Sequence, residues 1–201
     1  MGSKLVFLAD PHLHHLGEVE NAVLSLVARE NPDVIVLGGD IVDKFTRDLD
    51  PVRKYLSGLE AREKLAVLGN HDYWSGWSAQ LSRALKDHEF ELLKDSSTRT
   101  KAGPVYGLDW RESRRYPEIS KEGLVIAHDP NAALSVRGMC KMLAGHTHGG
   151  VVIGGLVLVT NSHFTRGLYE LEGGAELYVS RGVGQIVPLR PTSPLEVVVV
   201  E

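Results

Sequence analysis

The sequence predicts an α/β protein in which two stacked β-sheets carry helices on their outer faces. Three observations support this class. The first half alternates short apolar runs with amphipathic stretches, the second half is rich in short strand-like runs, and polar residues directly follow five of the runs. A βαβα beginning followed by a β-rich half favours two sheets over one parallel sheet.

Apolar runs and helical periodicity place the elements of the first half. We predict strands at 5–9, 33–38 and 64–69, because each is a compact apolar run. A helix is predicted at 18–29, where apolar residues recur at helical spacing behind an acidic first turn, and another at 48–59. A third helix is expected to begin at Ser75 or Ser78, capped by that serine, and to end near His88.

The second half contains mainly strand signals. Short strands are predicted at 90–93, 105–108, 124–128 and 142–145. The stretch GLYELEGGAELYVSR predicts a hairpin around Gly173 and Gly174, and VVIGGLVLV predicts a second hairpin. The final run, PLEVVVVE, predicts a buried closing strand.

Composition limits the classes of protein to consider. A length of 201 residues suits one domain over 1–201, and 43% hydrophobic with 24% charged residues is typical of a globular protein. The net charge of -4 argues against a stable nucleic-acid partner, which needs a basic face. The apolar run at 5–9 is too short for a signal peptide or a membrane span. The lone Cys140 fits a buried thiol and a cytoplasmic location.

The polar residues after the strands predict one metal site. The carboxyl ends of strands in α/β proteins line a common crevice, so residues distant in sequence converge there. Imidazole, carboxylate and amide donors suit Mn, Fe, Zn or similar ions, and seven donors are too many for one ion with an open position. They suit two ions bridged by an aspartate. The seven are Asp10, His12, Asp40, Asn70, His128, His146 and His148.

The order of these residues resembles the calcineurin-like metallophosphoesterases. The family signature runs D-x-H, G-D-x-x-D, G-N-H-D/E, H and G-H-x-H, and this sequence reads DPH, GDIVD, GNHD, the His of AHDP and GHTH over about two thirds of its length. The resemblance implies a four-layer α/β/β/α sandwich of two mixed sheets. The GHTHGG, RGLYEL and YVSRG segments resemble a bacterial phosphodiesterase branch, which often has Gln where this chain has Val151 and often carries an export signal.

The resemblance also implies roles for individual residues. Two divalent metal ions are expected, with Mn2+ favoured and Fe, Zn, Co or Ni as alternatives. His71 is expected to be catalytic, with Asp72 orienting it. One metal would be held by Asp10, His12 and His148, the other by Asn70, His128 and His146, with Asp40 bridging them.

The implied activity is hydrolysis of phosphodiester, phosphomonoester or pyrophosphate bonds in a small phosphorylated substrate, by in-line attack of a metal-bridging hydroxide. The alternatives are a UDP-sugar lipid pyrophosphatase, a nuclease, or a non-catalytic interaction scaffold on the same fold. The sequence does not determine the oligomeric state.

Several nearby residues keep two interpretations. Asp43 either bonds its own loop or supports a metal ligand, and His14 or His15 either contacts substrate or does not. Trp74 and Trp77 either wall the pocket or belong to the core. Asp129 is expected to shape the turn after His128. The loop at 109–122 contains three arginines that form either a solvated cluster or a phosphate clamp, namely Arg111, Arg114 and Arg115.

Overall fold

A computed structural model describes residues 2–184 and 192–201, and within them the chain forms the following elements. The helices are α1 (Glu18–Glu30), α2 (Asp50–Ser57), α3 (Asn70–Trp74) and α4 (Ser78–Asp87). The strands are β1 (Leu5–Leu8), β2 (Val34–Gly38), β3 (Glu63–Val67), β4 (Phe90–Leu92), β5 (Ser96–Thr100), β6 (Gly103–Gly107), β7 (Leu124–Ala127), β8 (Lys141–Ala144), β9 (Val151–Ile153), β10 (Leu156–Val159), β11 (Gly167–Glu170), β12 (Glu176–Val179) and β13 (Val198–Val200).

The first sheet has the strand order β13-β1-β2-β3-β4. Strands β1 to β4 are parallel, and β13 pairs antiparallel with β1. Side chains alternate across the sheet, so Val6 and Ile35 face one side and Phe7 and Val36 face the other. The side that carries Val6 packs against buried residues of α1, α2 and α4. These three helices therefore form the outer layer of the first sheet.

The second sheet has the order β11-β12-β8-β7-β6-β5. Its four central strands are parallel, and β5 and β11 are antiparallel edges. One face meets the first sheet, where Val105, Ile126 and Leu143 join the cluster of Phe7. The other face packs under the loop at 109–123 and a 3-10 turn at Pro130–Ser135. The predicted arrangement of two stacked mixed sheets flanked by helices is confirmed.

Most of the predicted elements are confirmed, including both hairpins, β9–β10 and β11–β12. Strand β5 was not predicted because SSTRT is a polar, largely exposed edge with no apolar alternation. The short helix α3 was also missed. No serine side chain caps α4, because Trp77 occupies the N-cap position.

The prediction of a buried closing strand is wrong for most of β13. Only Val198 is buried there, because β13 is an edge strand of the first sheet. Hairpin β9–β10 is the most exposed apolar element, with Ile153 and Leu156 more than half exposed. Cys140 is buried, as expected. In residues 2–184 and 192–201, no helix has the length and apolarity that crossing a bilayer requires.

Candidate metal centre

The structure brings the seven predicted metal ligands to one end of the two sheets. Asp10 and His12 follow β1, Asp40 follows β2, and Asn70 begins α3 just beyond β3. His128 follows β7, and His146 and His148 follow β8 in the second sheet. Backbone hydrogen bonds join neighbouring turns, from Asp10 N to Gly39 O at 3.0 Å and from Gly145 N to His128 O at 3.1 Å. The parallel registers of the two sheets therefore assemble the cluster.

The donor atoms fall into two groups, in each of which they lie within 4.8 Å of one another. The first group is Asp10, His12 and His148, and the second group is Asp40, His128 and His146. In the first group, His12 Nε2 and His148 Nε2 are 3.1 Å apart. In the second group, His128 Nε2 lies 3.1 Å from Asp40 Oδ2 and 3.2 Å from His146 Nδ1.

Asp40 and Asn70 extend this arrangement. The Asn70 side-chain oxygen lies 3.1 Å from His128 Nε2, which places the amide with the second group. Asp40 Oδ2 also lies 3.9 Å from His12 Nε2 of the first group. Asp40 is therefore near donors of both groups.

Unusual backbone conformations hold the donors in place. Positive φ angles are uncommon outside glycine and cost free energy that surrounding structure must offset. Five of the seven donors have them, and such clustering of strain is typical of functional sites. The φ angles are 56° for Asp10, 46° for His12, 52° for Asp40, 73° for His146 and 49° for His148.

Close backbone contacts explain the glycines beside the donors. Gly39 has a φ angle of 88°, and a Cβ atom there would lie 2.8 Å from His128 Nδ1. A Cβ atom on Gly69 would overlap the carboxylate of Asp40. Glycine is needed at both positions because the turns approach side chains of the second group at van der Waals limits.

The electrostatics of the second group favour an added positive charge. Burial opposes charge on His128, but attraction and a hydrogen bond to the Asp40 carboxylate outweigh it and raise the pKa of His128 to about 10. Burial and repulsion from His128 lower the pKa of His146 to about 4. Burial alone would raise the pKa of Asp40, yet its histidine neighbours hold it well below the usual range. A bound cation would satisfy the same carboxylate, and imidazole, carboxylate and amide donors fit a divalent ion.

Outer residues fix the orientation of the donors. Asp43 Oδ2 lies 3.3 Å from His12 Nδ1, and the same carboxylate is 2.7 Å from His14 Nε2. Asp43 also accepts a hydrogen bond from Phe45 N at 2.7 Å. Both interpretations of Asp43 therefore apply, since it bonds its loop and contacts a predicted ligand. His128 Nδ1 lies 2.9 Å from the Gly38 carbonyl oxygen.

The predicted catalytic pair occupies different environments. The backbone N–H of His71 donates to Asp40 Oδ1 at 2.8 Å, and its half-exposed ring lies edge-on to the His12 ring at 5.2 Å. Asp72 is fully buried, and its oxygens accept from Val42 N at 2.9 Å and Gly69 N at 2.8 Å. Burial and the nearby Asp40 raise the pKa of Asp72 to about 7. Among the described residues, the hydrogen bonds of the Asp72 carboxylate thus join the loop after β2 to the loop after β3, and none of them goes to the His71 ring that it was expected to orient.

A pocket of about 360 Å³ opens above the donors. Asp40, Asn70, His71, His146 and His148 lie on it, together with Trp74, Trp110, Glu112, Arg114 and Asn161. Of the two predicted tryptophans, Trp74 walls the pocket while Trp77 packs against the core and donates to Thr46 O. Trp110, Glu112 and Asn161 were not predicted. Trp110 lies three residues after the end of β6, and a position just after a strand is the signal that predicted the metal donors.

Two of the three arginines of the loop at 109–122, Arg111 and Arg114, are paired with carboxylates and do not form a solvated cluster. Arg114 binds the Asp129 carboxylate through Nε at 2.8 Å and Nη2 at 2.6 Å, and it donates to the Asn161 carbonyl oxygen at 2.7 Å. Arg111 pairs with Asp95 at 2.7 Å. Asp129 also accepts from Asn131 N, so its expected role in shaping the turn is confirmed. Arg114 is therefore a partly buried structural residue at the pocket wall.

The Asn161 side chain reaches the second group. Its amide nitrogen lies 3.2 Å from His146 Nε2, and Arg114 holds the backbone of the same residue. Asn161 follows the apolar strand β10 by two residues, but β10 belongs to the separate two-stranded hairpin and not to either large sheet, so the strand-end rule did not place Asn161 at the site. Val151, where the related branch often has Gln, begins β9 and is partly buried.

Comparison with known proteins agrees with the fold. The family model for calcineurin-like phosphoesterases matches residues 3–150. An uncharacterized metallophosphoesterase of Aquifex aeolicus is 30% identical over 98% of this chain and 84% of its own length. Phosphodiesterase YaeI of Escherichia coli is 29% identical over 98% of this chain and 81% of its own length.

Coverage differs among the relatives. A Campylobacter jejuni metallophosphoesterase is also 30% identical over 98% of this chain, but the chain spans only 58% of that protein. Among solved structures, the E. coli phosphoesterase Yfce aligns with a TM-score of 0.55 at 17% identity, over 98% of this chain and 88% of the other. The structural match establishes the fold.

The two-sheet fold and the paired donor groups define a metal-dependent phosphoester hydrolase. Within that class, the chain belongs to the calcineurin-like phosphoesterase family, whose model covers most of its length.

Proposed function

We propose that the protein hydrolyses phosphodiester bonds at a two-metal centre formed by the first and second groups. The observation that carries this proposal is the position of Asp40, which lies near donors of both groups at the base of the pocket. A single-metal site would not need six converging donors around a shared carboxylate.

The donor chemistry indicates which ions fit. Carboxylate, imidazole and amide donors without a thiolate suit Mn2+, our preferred ion, as well as Fe, Zn, Co or Ni. Asp10, His12 and His148 would hold one ion, and Asn70, His128 and His146 the other. Asp40 would contact both. When bound, two divalent ions supply Lewis acidity to the phosphoryl oxygens and lower the pKa of a coordinated water.

His71 is the residue proposed to act on the leaving group. Burial lowers its pKa below the ordinary histidine value. A neutral imidazole at neutral pH can donate a hydrogen bond from its ring N–H to the negative charge that develops on the leaving oxygen, without adding positive charge next to the ions. Its backbone bond to Asp40 fixes the start of α3 beside the donors. We assign Asp72 a positioning role, because it holds the loop of Asp40 against the loop of Asn70.

The phosphodiester substrate class is supported by the name of one relative, the E. coli phosphodiesterase YaeI. Monoester or pyrophosphate hydrolysis, including a UDP-sugar lipid substrate, remains an alternative outcome of substrate screening. The nuclease of Pseudomonas putida shares the fold at 15% identity, which carries no argument about substrate. The complete donor set favours an enzyme over an interaction scaffold.

We propose that residues 1–201 act as one domain in the cytoplasm on a small phosphorylated substrate. Strand β13, near the C-terminus, pairs with β1, near the N-terminus, which supports a single folding unit. The single buried thiol of Cys140 fits a reducing compartment.

The test is hydrolysis of bis(p-nitrophenyl) phosphate by the purified protein loaded with Mn2+. We expect His71→Ala to lower turnover by roughly 10²- to 10³-fold, the usual cost of removing one hydrogen-bond donor to developing charge, while the metal content stays unchanged. His88→Ala, at the end of α4, is the matched control and should retain full turnover. Inactivity of the wild type with Mn, Fe, Co, Ni and Zn against several diesters would refute the proposal.

A further inference from the structure

Trp74 is an exposed aromatic residue on the wall of the metal-centre pocket. The residue is 57% exposed. An indole is a large apolar group, and burying it would stabilise the fold, so its exposure here is costly. It lies three residues after His71 in α3, and its ring centroid is 5.3 Å from the His71 ring. An exposed indole beside a proposed catalytic residue is a candidate contact for substrate.

The indole of Trp74 is fixed in orientation despite its exposure. Its Nε1 donates to Glu112 Oε1 at 2.7 Å, and Trp110 Nε1 donates to the same oxygen at 3.0 Å. The two rings stand at 85° with centroids 6.3 Å apart. We call Trp74, Trp110 and Glu112 the aromatic corner. Since the indole N–H is the only polar group of a tryptophan side chain, both rings offer a ligand only their faces and edges.

The aromatic corner adjoins the donors of the second group. The Trp110 ring lies 5.4 Å from the His146 ring and 6.0 Å from the His128 ring. The guanidinium of Arg114 lies 5.9 Å from the Trp110 ring centroid, so Trp110 is packed between these groups. Trp110 therefore supports the corner, and Trp74 presents the free surface toward the pocket.

We propose that the aromatic corner is a subsite that stacks a planar aromatic substituent of the phosphoester, such as a nucleobase, and this rests on the proposed function. A phosphoryl group at the metal donors places its organic substituent against Trp74. Base–aromatic stacking contributes about 1–3 kcal/mol per base in alanine-substitution experiments. The Glu112 carboxylate at the corner repels further phosphate groups, so the favoured class is a nucleoside attached to a single phosphate.

Adenosine 5′-monophosphate and ribose 5-phosphate test this subsite, because both carry a 5-phosphate on ribose and the first has adenine where the second has a hydroxyl group. Binding of each to the Mn2+-loaded protein is measured by isothermal titration calorimetry. We expect the wild type to bind adenosine 5′-monophosphate about tenfold more tightly than ribose 5-phosphate, an affinity ratio within the range for one stacked base. Trp74→Ala should reduce that ratio to about one, and Trp74→Phe should keep most of it. Glu112→Ala, which releases both indoles, should reduce the ratio partly.

Trp77→Phe is the matched control, since Trp77 packs on the core and its N–H bonds to Thr46 O. Trp77→Phe should leave the ratio of the affinities for adenosine 5′-monophosphate and ribose 5-phosphate unchanged. Equal affinity of the wild type for the two ligands, or a ratio unaffected by Trp74→Ala, would overturn the proposal. So would n-hexyl phosphate binding as tightly as the nucleotide, because the surface would then be an apolar site without preference for planar groups.

The two proposals fail in different ways. Hydrolysis of bis(p-nitrophenyl) phosphate is measured on the same preparations. A base-dependent affinity that requires Trp74 in an inactive protein would support the subsite and contradict the proposed function. Full hydrolysis with no base-dependent affinity would support the proposed function and contradict the subsite.

Discussion

The first group and the second group are built from similar donors but are supported differently. In the first group, the outer nitrogen of His12 faces the Asp43 carboxylate, which His14 also contacts. In the second group, the outer nitrogen of His128 faces the neutral Gly38 carbonyl, and His146 contacts the Asn161 amide. Asp10 Oδ1 lies 4.0 Å from the same nitrogen of His128, but Asp10 is itself a donor of the first group, and Asp129 is paired with Arg114.

This difference predicts unequal metal affinities. A carboxylate behind a ligating histidine raises the basicity of that ligand and fixes its orientation. The first group has its own anionic support of this kind in Asp43, whereas the hydrogen-bond partners behind the second group are neutral and its Asp40 charge is shared. We therefore infer that the first group binds its ion more tightly. Asp40→Asn changes both groups, whereas Asp43→Asn changes the first group alone and Asn161→Ala the second group alone.

Asp40→Asn is expected to have the largest effect, because it removes the charge near both groups. Loss of a direct donor should exceed the 10- to 100-fold loss typical of outer partners, so we expect hydrolysis to fall by at least about 100-fold. Metal content measured by inductively coupled plasma mass spectrometry should fall at both groups. Asp95→Asn, in a surface pair with Arg111, should change neither quantity. Two tightly held ions in Asp40→Asn would contradict a shared role.

Asp43→Asn is expected to weaken the first group alone. The substitution removes the charge behind His12, so the tighter of two Mn2+ dissociation constants should increase by roughly 10- to 100-fold. Equilibrium dialysis against Mn2+ measures both constants. An equal change in both would show that Asp43 acts through the whole loop and not through His12.

Asn161→Ala should have the smallest effect, confined to the second group. The amide contact to His146 is neutral, so the weaker Mn2+ dissociation constant should increase by about tenfold, the lower end for outer partners. The same dialysis experiment checks this result. Thr160→Ala, at the neighbouring exposed position, is the control. A larger effect on the tighter site would reverse the assignment of Asn161.

Sequence patterns predicted most of the fold because each buried strand is a compact apolar run and helices α1, α2 and α4 bury apolar residues at helical spacing, whereas the polar helix α3 does not. They failed for β5, whose polar residues carry no alternation, and for β13, where a run of valines looks buried although the strand lies at an edge. An apolar run indicates a strand, but its neighbours decide how much of it is covered.

The proximity of the donors was predictable because the strands that precede them are themselves apolar runs. Each donor directly follows an apolar strand, so the local pattern and the sheet topology together placed it. Trp110 also follows a strand closely and carried the same signal, whereas Glu112 and Asn161 reach the site through the tertiary contacts of their loops. Arg114 looked like a solvated charge because its partner, Asp129, is 15 residues away in the sequence.

The measurement that tests the two-metal account most directly is the number of Mn2+ ions bound per chain, determined by equilibrium dialysis on the wild type and on the variants His146→Ala and His148→Ala. We predict two ions for the wild type and one ion for each variant, with His148→Ala keeping only the weaker site and His146→Ala keeping only the tighter one. A wild type that binds one ion or none, or two variants that lose the same site, would contradict the account.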